Sequence, residues 1–321
     1  MSQLREAILA RLATGQTPVS GDRLAGELGI SRSAVWKHIE ALRRQGLDIA
    51  SCSGQGYVLQ SDVLQQTVIE TQLASQRFGH PCLVLEQVDS TNIEAMRLAE
   101  EGAAEGLVVL AERQPHGRGR LGRSWHTEPR DALAMSILLK PRLSPDKVPQ
   151  LSLVAAVGIH DALSSFAPDV RIKWPNDLMH AGAKLAGILT EMWAEPGVVH
   201  AVIVGIGINV RRPAAGWPDE IAAIASDVSS AAGKKITRTE VAVRVIECLE
   251  QAYVDFLSHG FEPIRERWWR VHLASGQNVR VYDGREYIEG IAKALDVDGA
   301  LLLATTEGVK RIIAGDLEVL A

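Results

Sequence analysis

The sequence predicts an α+β multidomain chain: a winged helix-turn-helix, then a larger mixed-sheet region, then a small β barrel. Three observations predict it. The first sixty residues show helical spacing broken by capping residues and end in a hairpin pattern. From about residue 63 to about 270, strand-type and helix-type runs intermingle without a strict βα repeat, as in a mixed sheet. From about 271 onward, short strand-type runs are punctuated by Asp283-Gly284, Asp298-Gly299 and Glu307-Gly308, a spacing suited to a small barrel. The expected domains are residues 1–62, 63–270 and 271–321.

Leu4, Ile8 and Leu12 lie at helical spacing, and Thr14-Gly15 marks a stop. A second short helix follows Ser20, with Leu24 and Leu28 inward and Gly29 as its cap. Ser31 is the expected N-cap of a third helix. Its stripe of Val35, Ile39 and Leu42 turns Arg32, Ser33, Trp36, Lys37 and Arg43 outward, and Gly46 ends it. Residues 47–50, the turn Ser53-Gly54-Gln55-Gly56 and Tyr57-Val58-Leu59 form a hairpin. Helix, helix-turn-helix, hairpin is the order of a DNA-binding winged helix, and Ser31, Arg32, Ser33, Trp36, Lys37 and Arg43 are the candidate DNA contacts. Within residues 1–60 seven basic side chains outnumber five acidic ones, against a whole-chain net charge of −5. The same small fold also serves as a protein-interaction module; the basic cluster on the third helix favours DNA.

In the central region, strands are expected over 82–88, 107–112, 132–139, 185–190 and 198–210, and helices over 92–100, 150–166 and 238–257. With 321 residues and 46% hydrophobic content, the chain has the composition of a soluble globular protein of more than one domain. The net charge of −5 and a pI near 6.0 argue against wholesale coating of nucleic acid. The start, MSQLREAILARL, carries charges where a signal peptide needs an apolar core, and no uncharged apolar run approaches the ~18 residues of a membrane span. A cytoplasmic protein without membrane partners is expected. Cys52, Cys82 and Cys248 form no C-x-x-C pair, so neither a disulfide framework nor a zinc site is indicated.

The stretch GRGRLGRSW, residues 117–125, matches a dinucleotide fingerprint and, with Arg for Lys, a phosphate loop. Both need an apolar helix directly after the glycines. Polar, proline-broken residues 126–131 and then a strand-length apolar run follow instead. The glycines therefore sit on a loop between strands. Gly117, Gly119 and Gly122 free backbone N–H groups for an anion, and Arg118, Arg120 and Arg123 add forked cationic donors. The alternative is a flexible basic surface loop.

Three further constellations bear on that choice. Ser90-Thr91-Asn92, with Glu94 three residues after Thr91, reads as a capping box whose hydroxyls can also meet a polar head group. In the run 204–210, strand alternation places Gly205, Gly207 and Asn209 on one bare face and Val204, Ile206, Ile208 and Val210 on the other. The bare face invites either a flat ligand or close packing. Lys173-Trp174-Pro175-Asn176-Asp177 reads as a hairpin corner, and Lys184 beyond it can be aimed at an anion or left in solvent.

Together Ser90-Thr91-Asn92, Gln114 with GRGRLGRSW, KWPND, KLAGIL (184–189) and Gly205 to Asn209 resemble biotin–protein ligases in order and spacing. With the winged helix ahead of them, the whole chain resembles the bifunctional members that also repress biotin-synthesis genes. The resemblance implies a central domain similar to class II aminoacyl-tRNA synthetases and an SH3-like C-terminal barrel. It implies that biotin and ATP give biotinyl-5′-AMP, which a lysine of biotin carboxyl carrier protein then attacks. Lys184, Arg118 and Arg120 would carry the chemistry at the carboxylate and phosphate. Biotin would be held by Ser90, Thr91, Asn92, Gln114, Gly117, Arg118, Gly119, Arg120, Lys184, Gly205 and Gly207. Arg120, Arg123, Trp125, Asn176, Asn209 and Trp217 would lie along the nucleotide. Mg²⁺ would accompany ATP, with Asp177 the nearest carboxylate. Operator DNA and a homodimer formed on adenylate binding are the other implied partners. The family commonly has Gln-Gln-Ala before the glycines, where Gln114-Pro115-His116 stands here. A lipoate ligase, or a ligand-sensing transcription factor without ligase activity, is the alternative; Ser90, Thr91 and Gln114 suit a ureido ring better than a dithiolane.

Overall fold

The computed structural model describes residues 3–13, 17–125 and 130–320, so the expected stop at Thr14-Gly15 and the polar residues 126–129 lie outside the described residues. The chain divides into two compact units, Met1–Gln72 and Leu73–Ala321.

The first unit runs α1 (Gln3–Ala13), α2 (Gly21–Leu28), α3 (Arg32–Arg44), β1 (Ile49–Cys52), β2 (Gly56–Leu59) and α4 (Gln66–Gln72). Ser20 accepts the Arg23 N–H at 3.1 Å, and Ser31 accepts that of Ala34 at 3.2 Å, so both expected N-caps form. Gly29 closes α2 in the left-handed region at φ 63°. Val35, Ile39 and Leu42 join Ile8, Leu12 and Leu24 in one core. In α1 the buried stripe runs through Ile8, Leu9 and Leu12, while Leu4 at the first turn stays 37% exposed. β1 and β2 pair antiparallel from Ile49↔Leu59 to Cys52↔Gly56. At Gly56 a Cβ would stand 2.1 Å from the Val19 carbonyl oxygen, so only glycine lets the hairpin meet the segment before α2. Val68 and Ile69 of α4 are buried, and α4 clusters with this unit, ten residues past the boundary expected at 62.

In the second unit a seven-stranded sheet has the order β3-β4-β5-β9-β8-β7-β6. Its strands are β3 (Cys82–Leu85), β4 (Val108–Ala111), β5 (Ala132–Leu139), β6 (Arg171–Lys173), β7 (Asp177–His180), β8 (Ala183–Glu195) and β9 (Val198–Asn209). Only β3 and β4 run parallel, which makes the sheet mixed, as expected. α5 (Thr91–Glu100) covers the sheet face that carries Ala201 and Ile203. By strand alternation that face continues along β9 as Gly205, Gly207 and Asn209. α6 (Pro149–Ser164), α7 (Val228–Ala232), α8 (Arg238–His259) and α9 (Glu262–Arg270) complete the helices of this region. α6 and α8 lie close enough that a Cβ on Gly158 would approach Leu249 Cα to 2.7 Å. Arg238, fully buried at the start of α8, donates to Glu112 at 2.7 and 3.0 Å and ties that helix to the end of β4.

The C-terminal strands β10 (Asn278–Tyr282), β11 (Tyr287–Leu295), β12 (Leu301–Thr305), β13 (Gly308–Ile312) and β14 (Asp316–Val319) form an antiparallel sheet in the order β13-β12-β11-β10-β14. This is the β-rich C-terminal region the turn dipeptides called for, and it falls within the second unit.

His272 sits where α9 meets that region. Its ring stacks on Trp268 at 4.7 Å, and Nδ1 donates to the Ile172 carbonyl at 2.9 Å, while Nε2 is buried with no partner among the described residues. Burial drives its pKa down to about 4, against a smaller opposing effect of the Ile172 bond. The folded chain therefore keeps His272 neutral where the unfolded chain takes up a proton. Stability is fully present above about pH 6.5 and is lost as pH falls toward 4. Between pH 7 and 5 wild type should lose about 2 kcal/mol more than His272→Phe, measured by denaturant unfolding of both chains. Parallel losses in the two chains would show that the ring is not the cause.

Candidate active site

The glycine–arginine loop follows β4 and closes on itself between Gly117 and Trp125. The Gly119 N–H bonds the Arg123 carbonyl at 2.7 Å, and the Trp125 N–H bonds the Gly117 carbonyl at 2.8 Å. Between them Arg120–Gly122 make one 3₁₀ turn, with Leu121 at φ 55° and 76% exposed. Gly117 is pressed against the loop's return, for a Cβ there would stand 2.3 Å from the Trp125 carbonyl. The loop thus has a fixed path that aims its three arginines in three directions, each toward a separate anchor.

Arg118 pairs with Glu191 of β8 at 3.1 Å. Arg120 donates to the Asn176 side-chain oxygen, in the β6–β7 corner, at 3.1 Å. Arg123 pairs with Asp316, the first residue of β14. Burial lowers the pKa of Arg120, with the Asp316 and Asp177 charges opposing; the hydrogen bond that Arg123 donates to Asp316 raises the pKa of Arg123. Among the described residues Arg120 is therefore a desolvated cation without a carboxylate of its own, which favours an arriving anion.

A cavity of about 510 Å³ lies behind the loop. Ser90, Thr91, Asn92, Gln114, Arg118, Gly119, Arg120, Arg123, Trp125, Asn176, Asp177, Lys184, Gly205, Gly207 and Asn209 all line it, so one site gathers most of the residues singled out from the sequence. Gly117 is buried behind the lining. Trp217 is half-buried and does not line the cavity; its segment reaches the site through Ile221, Ile224 and Ala225.

One end of the cavity is a polar floor. Ser90, not Thr91, is the N-cap of α5, and its side chain makes no capping bond, so the expected capping box is absent. Thr91 and Asn92 instead belong to the first turn and are buried at 4% exposure each. The Thr91 N–H donates to Gln114 Oε1 at 2.7 Å. Ser136 of β5, fully buried, lies 2.7 Å from Thr91 Oγ1 and 2.6 Å from Asn92 Oδ1. Sequence reasoning passed over Ser136; its signal is a lone hydroxyl in the otherwise apolar strand ALAMSILL.

The glycine face is less bare than the alternation suggested. A Cβ at Gly205 would fall 2.1 Å from Asn92 Oδ1, and one at Gly207 would fall 2.3 Å from the Trp125 indole. Each glycine makes room for a side chain, and these side chains cover the wall. Asn209 donates to the carbonyls of Ser226 at 3.0 Å and Lys184 at 3.3 Å, fixing the end of β9.

The opposite end is charged. Lys184 Nζ lies 2.7 Å from Asp177 Oδ1 and 5.6 Å from the centre of a Trp125 ring. Asn176 donates to the Ile188 carbonyl at 2.7 Å, which locks the corner beside it. As a magnesium ligand Asp177 fits poorly. Its carboxylate is paired with Lys184 at 2.7 Å, so the charge a cation would need is already engaged.

On the first unit, Ser33 and Trp36 project from α3, Trp36 being 53% exposed, and Lys37 is exposed beside them. Ser31 Oγ and Ser33 Oγ are 2.9 Å apart, and Arg32 pairs with Asp22 at 3.1 Å on the surface. Arg43 does not face outward as expected. It folds back onto the hairpin, donating to the Ile49 carbonyl at 2.6 and 2.8 Å and to Ser51 at 2.8 Å, and pairs with Glu40 at 2.6 Å. Arg11 and Arg23 share Glu27, so several of this unit's basic groups are engaged in ion pairs within it.

Models of three families match in order along the chain. They are an HTH domain over residues 4–58, the biotin/lipoate A/B protein ligase family over 84–209, and the biotin protein ligase C terminal domain over 274–320. The bifunctional ligase/repressor BirA of Bacillus subtilis is 38% identical over 99% of this chain and 99% of its own. The bifunctional ligase/repressor BirA of Escherichia coli is 32% identical over 97% of this chain and 96% of its own. The chain belongs to the bifunctional biotin ligase/repressor family. The biotin protein ligase of Aquifex aeolicus in complex with biotin and ATP superposes with a TM-score of 0.63 at 31% identity, covering 74% of this chain and 98% of that one. A member of this family is a biotin–protein ligase with a DNA-binding repressor unit. No described helix is long and apolar enough to cross a membrane.

Proposed function

We propose that the cavity joins biotin to ATP and passes the biotinyl group to a lysine of a biotin carboxyl carrier protein. The observation that carries this reading is one cavity with two unlike ends: the neutral hydrogen-bonding floor of Ser90, Thr91 and Gln114, and the cationic end of Lys184, Arg118, Arg120 and Arg123. A ureido ring offers N–H donors and a carbonyl acceptor to the first, and a carboxylate and polyphosphate answer the second. A biotin carboxylate oxygen attacks the α-phosphorus, the bond to the bridging oxygen breaks, and pyrophosphate leaves. The carrier's lysine amine then attacks the acyl carbon, AMP departs with the bonding electrons, and the amine loses a proton. Lys184 and Arg118 meet the carboxylate and α-phosphate, where negative charge gathers. Arg120 and Arg123 hold the phosphates, Trp125 covers the chain between the two ends, and Asn176 and Asn209 border the nucleotide. Domains 1–62, 63–270 and 271–321 serve DNA binding, ligation and closure of the nucleotide end; Asp316 of the last stands at the clamp.

For the repressor half, Ser31, Arg32, Ser33, Trp36 and Lys37 remain the operator contacts, and Arg43 shapes the wing. A monomer with so small a free basic surface binds DNA weakly, whereas a two-fold dimer engages two half-sites. β8 pairs with β7 only as far as Gly187, and Met192 and Trp193 beyond it are 48% and 36% exposed, which suits edge-to-edge pairing of two copies. If ordering the clamp around biotinyl-AMP favours that dimer, the adenylate and operator tighten each other's binding. Operator affinity should rise on the order of 10²-fold when biotin and ATP are added, with dimer in sedimentation at the same concentrations. Equal affinity in both conditions would remove the coupling and leave the ligase in place.

A further inference from the structure

Glu191 stands outside the cavity lining yet touches two parts of the site at once. We propose that it is a positioning residue that sets both the clamp loop and the polarity of the biotin floor; the proposal rests on the ligase reading above. Its Oε1 holds Arg118 at 3.1 Å, and its Oε2 accepts from Asn92 Nδ2 at 2.7 Å.

The second contact decides where the protons of the floor go. Asn92 Nδ2 also donates to the Leu189 carbonyl at 3.1 Å, so both its hydrogens face acceptors on β8. A flipped carboxamide would set its oxygen against the Glu191 carboxylate and the Leu189 carbonyl, which excludes that orientation. Asn92 Oδ1 is thus the atom facing Ser136, and it can only accept. Ser136 has one hydrogen and gives it to Asn92 across 2.6 Å. Toward Thr91, 2.7 Å away, Ser136 must then accept, and Thr91 donates. The Thr91 hydroxyl is left with lone pairs alone for the cavity, which selects a ligand that brings an N–H there. A ureido ring does; a dithiolane does not. Gly205 belongs to the same device, because any Cβ would displace the Asn92 carboxamide.

The first contact holds Arg118, which belongs to the cationic end of the same cavity. Arg118 pairs with Glu191 Oε1 while Asn92 donates to Glu191 Oε2, so one carboxylate couples the floor to the clamp. Its side chain is only 28% exposed, and its loss leaves the β8–β9 ladder intact.

The test is steady-state and retention kinetics on full-length Glu191→Gln and Glu191→Ala. Glu191→Ala should raise the KM for biotin by about tenfold or more and speed escape of biotinyl-AMP, with the KM for ATP unchanged. Glu191→Gln keeps an acceptor for Asn92 but removes the charge that holds Arg118. It should hold the biotin KM within about threefold of wild type while the adenylate still escapes faster. Wild-type behaviour of both variants overturns the proposal, and so do parallel losses in biotin KM, ATP KM and melting temperature. Failure of the wild-type chain to release pyrophosphate from biotin and ATP would instead remove the underlying ligase reading.

Discussion

Lys184→Ala is expected to slow adenylate formation by about 10- to 150-fold or more while leaving the fold intact. A charge-assisted contact is worth roughly 1.5–3 kcal/mol, and more where it strengthens in the transition state. A second penalty follows from the Lys184–Asp177 pair at 2.7 Å, because the truncation leaves the Asp177 carboxylate uncompensated and facing the incoming phosphates. The strand itself should survive. What holds position 184 is backbone: its N–H bonds the Ile224 carbonyl at 2.6 Å, and its carbonyl accepts the Ser226 N–H at 2.9 Å. Pyrophosphate release with biotin and ATP, together with thermal unfolding, checks both halves. Normal release by the variant would remove Lys184 from the chemistry.

Arg120→Gly is expected to loosen the clamp on its nucleotide side. Arg120 spans from the 3₁₀ turn to Asn176, at the charged end and away from the Thr91–Gln114 floor. Its loss should therefore leave biotin binding within a few-fold of wild type, while biotinyl-AMP escapes at least tenfold faster, in line with roughly 1.5–3 kcal/mol for a charged contact. Free adenylate would then label bystander lysines, which mass spectrometry of an added inert protein reads directly. Lost biotin affinity without bystander labelling would reverse the assignment of floor and clamp.

The helix caps at Ser20 and Ser31, the strand 132–139 and the glycine alternation of β9 were legible because each depends on neighbours within a few residues. The gathering of the loop, the KWPND corner and Lys184 came from the resemblance, since nothing local says that three segments meet. Ser136, Glu191 and Asp316 escaped notice because their roles are set by register and tertiary placement: Ser136 opposite Gly205, Glu191 one turn of pleat from Leu189, and Asp316 on a strand more than a hundred residues from the clamp. Arg43 misled for the complementary reason. Helical spacing gives a side chain's direction of departure, and a long guanidinium can still fold back to carbonyls on the next hairpin. Polar α9 gave no apolar stripe strong enough to outweigh its charges, and its burial rests on Ile264 and Trp268 alone.

The most direct test of the central claim is pyrophosphate release by the purified full-length chain given ATP with biotin, with lipoate, or with neither. Release that depends on biotin, with lipoate at the level of the blank, is the expected result. Release driven by lipoate, or binding of biotin without any release of pyrophosphate, would contradict the assignment of this cavity as a biotin-activating site.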